Sequence, residues 1–210
     1  MTVPQIPPAH ADAVALLTAW RAPDTSQAAL AQTYLAFLAA RPDATLRSCA
    51  PGHLTASAMV FSHDFGQVAL VLHGIVGAWL APGGHVEADD VSLRAAATRE
   101  VREELGIDVE LNPEPVTLDC HPITCRGYTT PTRHLDVRFA GRAAPDARLR
   151  VSEESHDVAW WPVDALPDGL FEEVRVLVAA GGRLLASTQV RAGDRHSVRC
   201  ALAGVEPAVP

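Results

Sequence analysis

The sequence of 210 residues predicts an α+β fold in which a mixed β-sheet is sandwiched between helices. Two short runs of β-type residues, 55–61 and 68–73, precede the strongest helical pattern of the chain, and further such runs follow it. Helical spacing of apolar residues also marks both ends of the chain. Strands on both sides of one central helix, with more helices outside them, are typical of a sheet covered on both faces.

Bulk composition favours a globular protein and disfavours some classes of function. Apolar residues make up 48% of the chain, charged residues make up 20%, and the formal net charge is −8. A protein that grips duplex nucleic acid through many phosphates usually shows a basic surface, and no run of Lys or Arg stands out here. The composition therefore disfavours a duplex binder and permits a metal-dependent enzyme that acts on small phosphorylated molecules.

Cysteine usage and the N-terminus predict a cytoplasmic protein. The four cysteines are scattered, and the close pair Cys120 and Cys125 has the spacing C-x4-C, a weak metal signal without a second pair. No basic region leads into an apolar core at the N-terminus, so we expect no signal peptide. No apolar run approaches the roughly 20 residues that a membrane helix needs. We expect reduced thiols and no membrane partner.

The chain divides by pattern into an N-terminal helical extension over residues 1–50, a central domain over 51–180 and a C-terminal extension over 181–210. Within the first part, apolar positions are spaced as in two helices, 10–20 and 25–40, with a Pro–Asp step between them. We interpret them as a helical hairpin that packs on the central domain. The hairpin also offers a surface for a homodimer or another partner.

The central domain is predicted to place one long helix between two groups of strands, with a final helix after them. From residue 190 onward the pattern indicates no more than a short strand and a frayed end. The predicted strands cover 55–61, 68–73, 79–81, 107–111, 116–123, 135–140 and 157–161, and the predicted helices cover 92–105 and 170–178.

Residues 92–105 form the strongest helical pattern, and Gly106 after them is a good left-handed C-cap. At about 100° per residue, Glu100, Glu103 and Glu104 fall within an arc of about 100° beside the apolar stripe. A solvated acidic face is the ordinary interpretation of such a cluster. A cation site is favoured because the carboxylates border the core stripe and because the dipole at the helix C-terminus disfavours negative charge. Grouped carboxylates suit Mg²⁺ or Mn²⁺.

Residues 84–107 resemble the Nudix box, the signature G-x5-E-x7-R-E-U-x-E-E-x-G-U, in which U is a bulky aliphatic residue. From Arg99 onward the signature matches at every position. In its first half Asp90 stands where the family has Glu, and eight residues instead of seven separate it from Arg99. One extra residue in the loop before the helix accounts for the difference, so Glu87, Asp89 or Asp90 can fill the first acidic position.

The resemblance implies a Nudix fold and a metal-dependent hydrolase. In the family the first glycine of the Gly-Gly loop offers its carbonyl to the metal, which implies Gly83 here. Glu100 and Glu104 correspond to the main ligands, Glu103 to a further or second-metal ligand, and Arg99 to the residue that orients them. The implied cofactor is Mg²⁺ or Mn²⁺, which activates a water molecule for attack on phosphorus.

The resemblance also implies a general base, which family members supply from the box or from a later loop. The best later candidate is Glu154, a few positions before a strand that carries tryptophan, and Glu153 is its neighbouring alternative. Candidate substrate contacts are His85 in the box loop and His134 and Arg138 on one strand face. For any single histidine, a structural role is the ordinary interpretation.

The activity that the resemblance implies is hydrolysis of a pyrophosphate bond in a nucleoside diphosphate linked to another moiety. An alternative on the same fold is an isoprenoid diphosphate isomerase, and the intact R-E-x-x-E-E-x-G favours the hydrolase. A third interpretation is a catalytically weak ligand-sensing or interaction protein. Such a protein is marked by loss of a ligand carboxylate, and the only change of that kind here is Asp90. The sequence does not select one nucleotide.

Overall fold

A computed structural model describes residues 6–125, 127–152 and 155–202 of the chain. Within these residues the chain forms an eight-stranded sheet and four helices. In chain order the helices are α1 Pro8–Ala19, α2 Thr25–Ala40, α3 Leu93–Leu105 and α4 Glu172–Leu202, and the strands are β1 His53–Phe61, β2 Gln67–His73, β3 Trp79–Leu80, β4 Gly83–His85, β5 Glu110–Leu111, β6 Thr117–Ile123, β7 Thr132–Arg142 and β8 Ser155–Pro162.

The sheet is mixed, as the sequence predicts. Its centre is the parallel pair of β1 and β7, which is in register from His53 opposite His134 to Phe61 opposite Arg142. The other edge of β1 is shared between two antiparallel strands, because β4 pairs with its first half and β2 with its end. This arrangement places the Gly-Gly segment beside the central strand β1.

Both faces of the sheet are buried, which confirms the predicted sandwich. Along β1, Leu54 and Ala56 enter a core beneath α1, α2 and α3, whereas Met59 and Phe61 enter a second core beside α4. A strand buried on both faces explains the nearly continuous apolar run of β1. Neighbouring tryptophans of β8 follow the same alternation, and each packs against a different core.

Helix α3 begins and ends where the local sequence predicts. Its N-cap Ser92 accepts a hydrogen bond from the backbone N–H of Ala95 at 3.0 Å, and Gly106 ends it in the left-handed region with φ of 67°. Asp12 in α1 accepts a further hydrogen bond from the N–H of Leu93 at 2.9 Å. The N-terminal hairpin therefore contacts the start of the acidic helix directly.

The N-terminal hairpin also covers an edge of the sheet. The side-chain amide of Gln27 in α2 donates to the carbonyl of Leu118 in β6 at 3.1 Å, and its oxygen accepts from the N–H of Leu118 at 2.6 Å. The hydroxyl of Tyr34 donates to the carbonyl of Asp119 in the same strand. Side chains of α2 thus satisfy backbone groups of β6 that another strand would otherwise pair with.

Replacing Gln27 with alanine is expected to lower the free energy of unfolding by about 1–2 kcal/mol, because two backbone groups of Leu118 lose their partner. The measurement is urea-induced unfolding followed by circular dichroism. Gln32→Ala is the matched control, since Gln32 is exposed on the same helix and should change stability by less than about 0.5 kcal/mol. Equal losses of stability in the two variants would contradict the conclusion that Gln27 stabilises the edge strand β6.

Three differences from the predicted elements have physical reasons. The segment Gly83–His85 was not predicted as a strand, and it becomes one because it lies against the edge of β1. Of the predicted strand 107–111, only Glu110–Leu111 pairs with β7. The short strand expected from residue 190 is wrong, since α4 continues to Leu202. That helix passes through Gly181, where an added Cβ would lie 2.9 Å from the ring of Phe61.

No helix among the described residues has both the length and the apolar character that crossing a membrane requires.

Candidate active site

Two carboxylates of α3 lie against the backbone of β4. Oε2 of Glu104 accepts a hydrogen bond from the N–H of Gly83 at 2.9 Å. The carboxylate of Glu100 lies beside Gly84, within 3.1 Å of the position that a Cβ there would occupy. Glu104 is 9% exposed and the side chain of Glu100 is 14% exposed, so both are shielded from water.

The two glycines allow this close approach. A Cβ on Gly83 would lie 2.3 Å from Cβ of Ser57 in β1, and a Cβ on Gly84 would lie 2.6 Å from Oε1 of Glu100. The N–H of Gly83 points away from β1 toward Glu104, and in antiparallel pairing the carbonyl of a residue points to the same side as its N–H. The carbonyl of Gly83 therefore points away from β1, to the same side as its N–H and Glu104.

Replacing Gly84 with alanine is expected to push the carboxylate of Glu100 aside and to weaken Mn²⁺ binding by at least about 10-fold. Mn²⁺ affinity measured by electron paramagnetic resonance tests this. The control is Gly66→Ala in the turn between β1 and β2, where the nearest atom to an added Cβ is 3.5 Å away. If Gly84→Ala bound Mn²⁺ as tightly as the wild type, metal binding would not require the space that the missing side chain of Gly84 leaves for Glu100.

Arg99 holds the acidic residues of the helix and its loop together. Its Nη1 donates to Glu100 at 3.0 Å and to Glu103 at 2.8 Å, while its Nη2 donates to Asp90 at 3.0 Å and to the carbonyl of His85 at 2.8 Å. A planar guanidinium with these four hydrogen bonds restrains the carboxylates around it. Glu103 differs from its neighbours because its side chain is 53% exposed.

Of the three candidates for the first acidic position, Asp90 lies closest to Arg99. Its side chain is 8% exposed and also accepts a hydrogen bond from the N–H of Glu87 at 2.8 Å. The carboxylate of Glu87 is 3.9 Å from Arg99 and Asp89 is exposed. Val91, which follows Asp90 before the helix cap, is 68% exposed, so this part of the loop lies at the surface.

The electrostatics of this cluster suit a cation. Burial raises the pKa of Glu100 to about 7, and the nearby Arg99 only partly opposes that effect. A carboxylate that burial disfavours in its charged form is stabilised by a metal ion beside it. The donors present are carboxylate and carbonyl oxygens, the type that Mg²⁺ and Mn²⁺ prefer. The residues therefore fit the metal that the resemblance implies.

The two histidines suggested as substrate contacts lie on the other face of β4. His85 and His134 meet there with His53 and Cys125, and the four donor atoms lie within 4.8 Å of one another. Burial lowers the pKa of His85 to about 4 and that of His134 to about 3, so both rings are neutral near pH 7. The sequence did not single out His53, and it marked Cys125 only through the weak C-x4-C signal with Cys120. Only the pairing of β1 with β4 and β7 brings the three histidines together.

Arg138 is not placed as the sequence suggested. It is 7% exposed, and its guanidinium donates to Asp136 at 2.8 Å, to Asp119 at 2.9 Å and to the carbonyl of Glu173 at 3.2 Å. These contacts tie β6, β7 and α4 together, which is a structural task. We therefore leave Arg138 out of the proposed substrate site.

The two candidates for a general base in the later loop, Glu153 and Glu154, lie outside the described residues. The strand that follows them is present as β8.

Comparison with solved structures supports the same fold. A NUDIX-family hydrolase from Clostridium perfringens is 21% identical with a TM-score of 0.54, over 63% of this chain and 97% of that one. A MutT protein from Methanosarcina mazei Go1 is 21% identical with a TM-score of 0.52, over 64% and 96%. A MutT NUDIX hydrolase from Burkholderia pseudomallei is 23% identical with a TM-score of 0.50, over 61% and 97%. A comparison with curated proteins found no match.

A model of the NUDIX domain matches residues 51–180, which is more than half of the chain. The matched segment contains β1 to β8 and the acidic helix α3. On this evidence the chain belongs to the NUDIX family.

Proposed function

We propose that this protein is a Mg²⁺- or Mn²⁺-dependent pyrophosphohydrolase that cleaves a phosphoric anhydride bond in a nucleoside diphosphate linked to another moiety. The observation that carries the proposal is the placement of Glu100 and Glu104 against the backbone of β4, with Arg99 bonded to Glu100. Membership of the NUDIX family supports a pyrophosphohydrolase. The substrate class follows from the resemblance and is part of the proposal.

The residues of α3 and β4 would have distinct tasks. Glu100, Glu104 and the carbonyl of Gly83 would hold the cation, with Glu103 as a further ligand on the exposed side. When bound, the cation would neutralise charge on the pyrophosphate and activate water for attack at phosphorus. Arg99 would keep the carboxylates oriented through its hydrogen bonds, so that they would not need to reorganise during the reaction.

Removal of a proton from the attacking water requires a base within hydrogen-bonding reach. We propose Glu154 for this task, with Glu153 and the half-exposed Glu103 as the alternatives. Alanine or glutamine variants of the three residues, compared at saturating metal, identify the base as the one whose loss lowers kcat most when the metal site is full.

The sequence retains all the acidic residues that the second half of the Nudix box requires, which favours the hydrolase over the isomerase and the ligand-sensing protein. A ligand-sensing protein has no need of Glu100, Glu103 and Glu104 together with their arginine. We further propose that the protein acts in the cytoplasm on a small nucleotide substrate and not on duplex nucleic acid. The exposed surface of the N-terminal hairpin would serve a homodimer.

The test is a screen of the purified full chain against nucleoside triphosphates, dinucleoside polyphosphates, ADP-sugars and CoA, with Mg²⁺ and with Mn²⁺. Chromatography detects the nucleoside monophosphate or other phosphorylated product. We expect turnover of at least one class, complete loss in EDTA and recovery on readdition of metal. Absence of turnover in every class, or turnover that EDTA does not affect, would reject the proposal. Isopentenyl diphosphate in the same screen tests the isomerase.

A further inference from the structure

Four metal-binding side chains converge on the face of β4 that lies away from α3. His53 opens β1, His85 ends β4, His134 lies in β7 and Cys125 lies in the loop before β7. The Sγ atom of Cys125 is 3.7 Å from Nε2 of His53, 3.6 Å from Nε2 of His85 and 3.2 Å from Nε2 of His134. The three imidazole rings are mutual neighbours, with centroids 5.0–5.1 Å apart.

These distances match the geometry of a tetrahedral metal site. Zinc binds cysteine sulfur at about 2.3 Å and histidine nitrogen at about 2.05 Å, which places the sulfur about 3.5 Å from each nitrogen in a tetrahedron. The three observed separations, 3.2 to 3.7 Å, lie on both sides of that value. All four donor atoms also lie within 4.8 Å of one another, so small side-chain shifts would let one ion contact all of them.

The residues behind the donors hold them in place. His53 is fully buried, and its Nδ1 lies 3.2 Å from the carbonyl of Cys49, an acceptor, so Nδ1 carries the proton of the neutral ring. Its Nε2 then presents a lone pair to the cluster. Histidine ligands of zinc commonly have their other ring nitrogen held in this way. Cys125 is 5% exposed, so its thiol is also shielded from water.

A hydrogen-bonded cluster without metal explains the contacts less well. The thiol of Cys125 has one proton, so it can donate to only one of the three nitrogens around it. Sulfur is also a weak acceptor, and Nε2 of His53 has no proton to donate to it. A cation satisfies the sulfur and all three nitrogens at once.

We propose that His53, His85, Cys125 and His134 bind one zinc ion. Nitrogen and sulfur donors in a tetrahedron select zinc, whereas the oxygen donors of α3 select Mg²⁺ or Mn²⁺, so the two faces of β4 take different metals. Four protein ligands leave no open position, which is the pattern of a structural site. This ion would clamp the loop before β7 to β4, the strand whose glycines face Glu100 and Glu104.

The experiment measures the metal content of the full chain, purified under reducing conditions without a metal-affinity tag, by inductively coupled plasma mass spectrometry. We expect one zinc per chain in the wild type. Replacing zinc with Co²⁺ should add a thiolate-to-cobalt charge-transfer band and the strong visible bands of a tetrahedral site. Cys125→Ser should lose the charge-transfer band and weaken zinc binding by at least about 100-fold.

The matched control is Cys120→Ser, because Cys120 is an exposed thiol on the neighbouring strand and is not one of the four converging residues. It should keep both the zinc and the cobalt bands. His134→Gln is the second ligand variant. If both ligand variants fail to fold, the cobalt spectrum of the wild type still tests whether a thiolate binds the metal. The proposal would be overturned by a wild type that has neither zinc nor a thiolate–cobalt band. A Cys125→Ser variant that keeps the band, or purification of the wild type with a different metal, would also overturn it.

The zinc proposal is independent of the proposed hydrolase. Glu104→Gln should bind one zinc per chain whether or not the wild type shows hydrolytic activity. A chain that binds zinc but hydrolyses no nucleotide would reject the hydrolase alone. A chain that hydrolyses a nucleotide with Mg²⁺ but holds no zinc would reject the zinc site alone.

Discussion

Glu104→Gln is expected to lower kcat for pyrophosphate hydrolysis by about 1000-fold, equivalent to about 4 kcal/mol of lost transition-state stabilisation. The substitution removes the charge of a proposed metal ligand that is only 9% exposed. It preserves the local structure, because the amide oxygen of glutamine can still accept the hydrogen bond from the N–H of Gly83. The loss should therefore appear in activity and in metal affinity more than in the fold.

Steady-state kinetics over a Mg²⁺ titration, with the best substrate of the nucleotide screen, measures this effect. Glu110→Gln is the matched control, since Glu110 is an exposed carboxylate on β5 and should keep wild-type kinetics. Thermal unfolding of both variants should resemble that of the wild type. Activity of Glu104→Gln within about 10-fold of the wild type would remove Glu104 from the proposed ligand set.

Arg99→Ala is expected to lower the free energy of unfolding by about 3 kcal/mol and to weaken metal binding. The guanidinium is bonded to Asp90, Glu100 and Glu103, and the first two side chains are only 8% and 14% exposed. Removing one partner of a shielded ion pair leaves charge in a poorly solvated place, which costs about 3–5 kcal/mol in buried pairs. The side chain of Arg99 is itself 20% exposed, so we expect the lower end of that range.

Arg102→Ala is the matched control for this prediction. Arg102 lies on the same helix and bonds to Asp108, but the two side chains are 63% and 81% exposed. Exposed pairs of this kind contribute little, so this variant should change stability by less than about 0.5 kcal/mol. Urea unfolding in EDTA, which removes any contribution of metal, compares the two variants. A similar loss in both would show that Arg99 does not organise the carboxylates.

Helix α3 shows how much local sequence can predict. The apolar spacing and the C-cap Gly106 depend on contacts within a few residues, and the structure confirms both. Ser92, which the prediction placed at the start of the helix, is its N-cap. The positions of Glu100, Glu103 and Glu104 relative to the core follow from the same helical geometry. The final helix was predicted too short, since the structure continues it through Gly181, where the ring of Phe61 leaves little room for a Cβ.

Features that depend on pairing between distant segments were not predictable in the same way. The strand Gly83–His85 has little intrinsic tendency to extend, and it forms because the edge of β1 is open to it. Arg138 was expected to contact substrate, yet the fold places Asp119 and Asp136 beside it. Arg138 is buried in contact with these two carboxylates, and burial of this kind depends on how the strands assemble into the sheet.

By itself the sequence determined the helix that carries the proposed metal-binding carboxylates, because α-helical geometry places residues three and four positions apart on one face. The reaction class that we propose follows from the resemblance of the same segment to the Nudix box. Only the tertiary structure decided which acidic residue of the loop meets Arg99, and that residue is Asp90. It alone brought His53 and Cys125, which are 72 positions apart, to the same point. Their meeting depends on strand register, and register is set by long-range packing that no local pattern records.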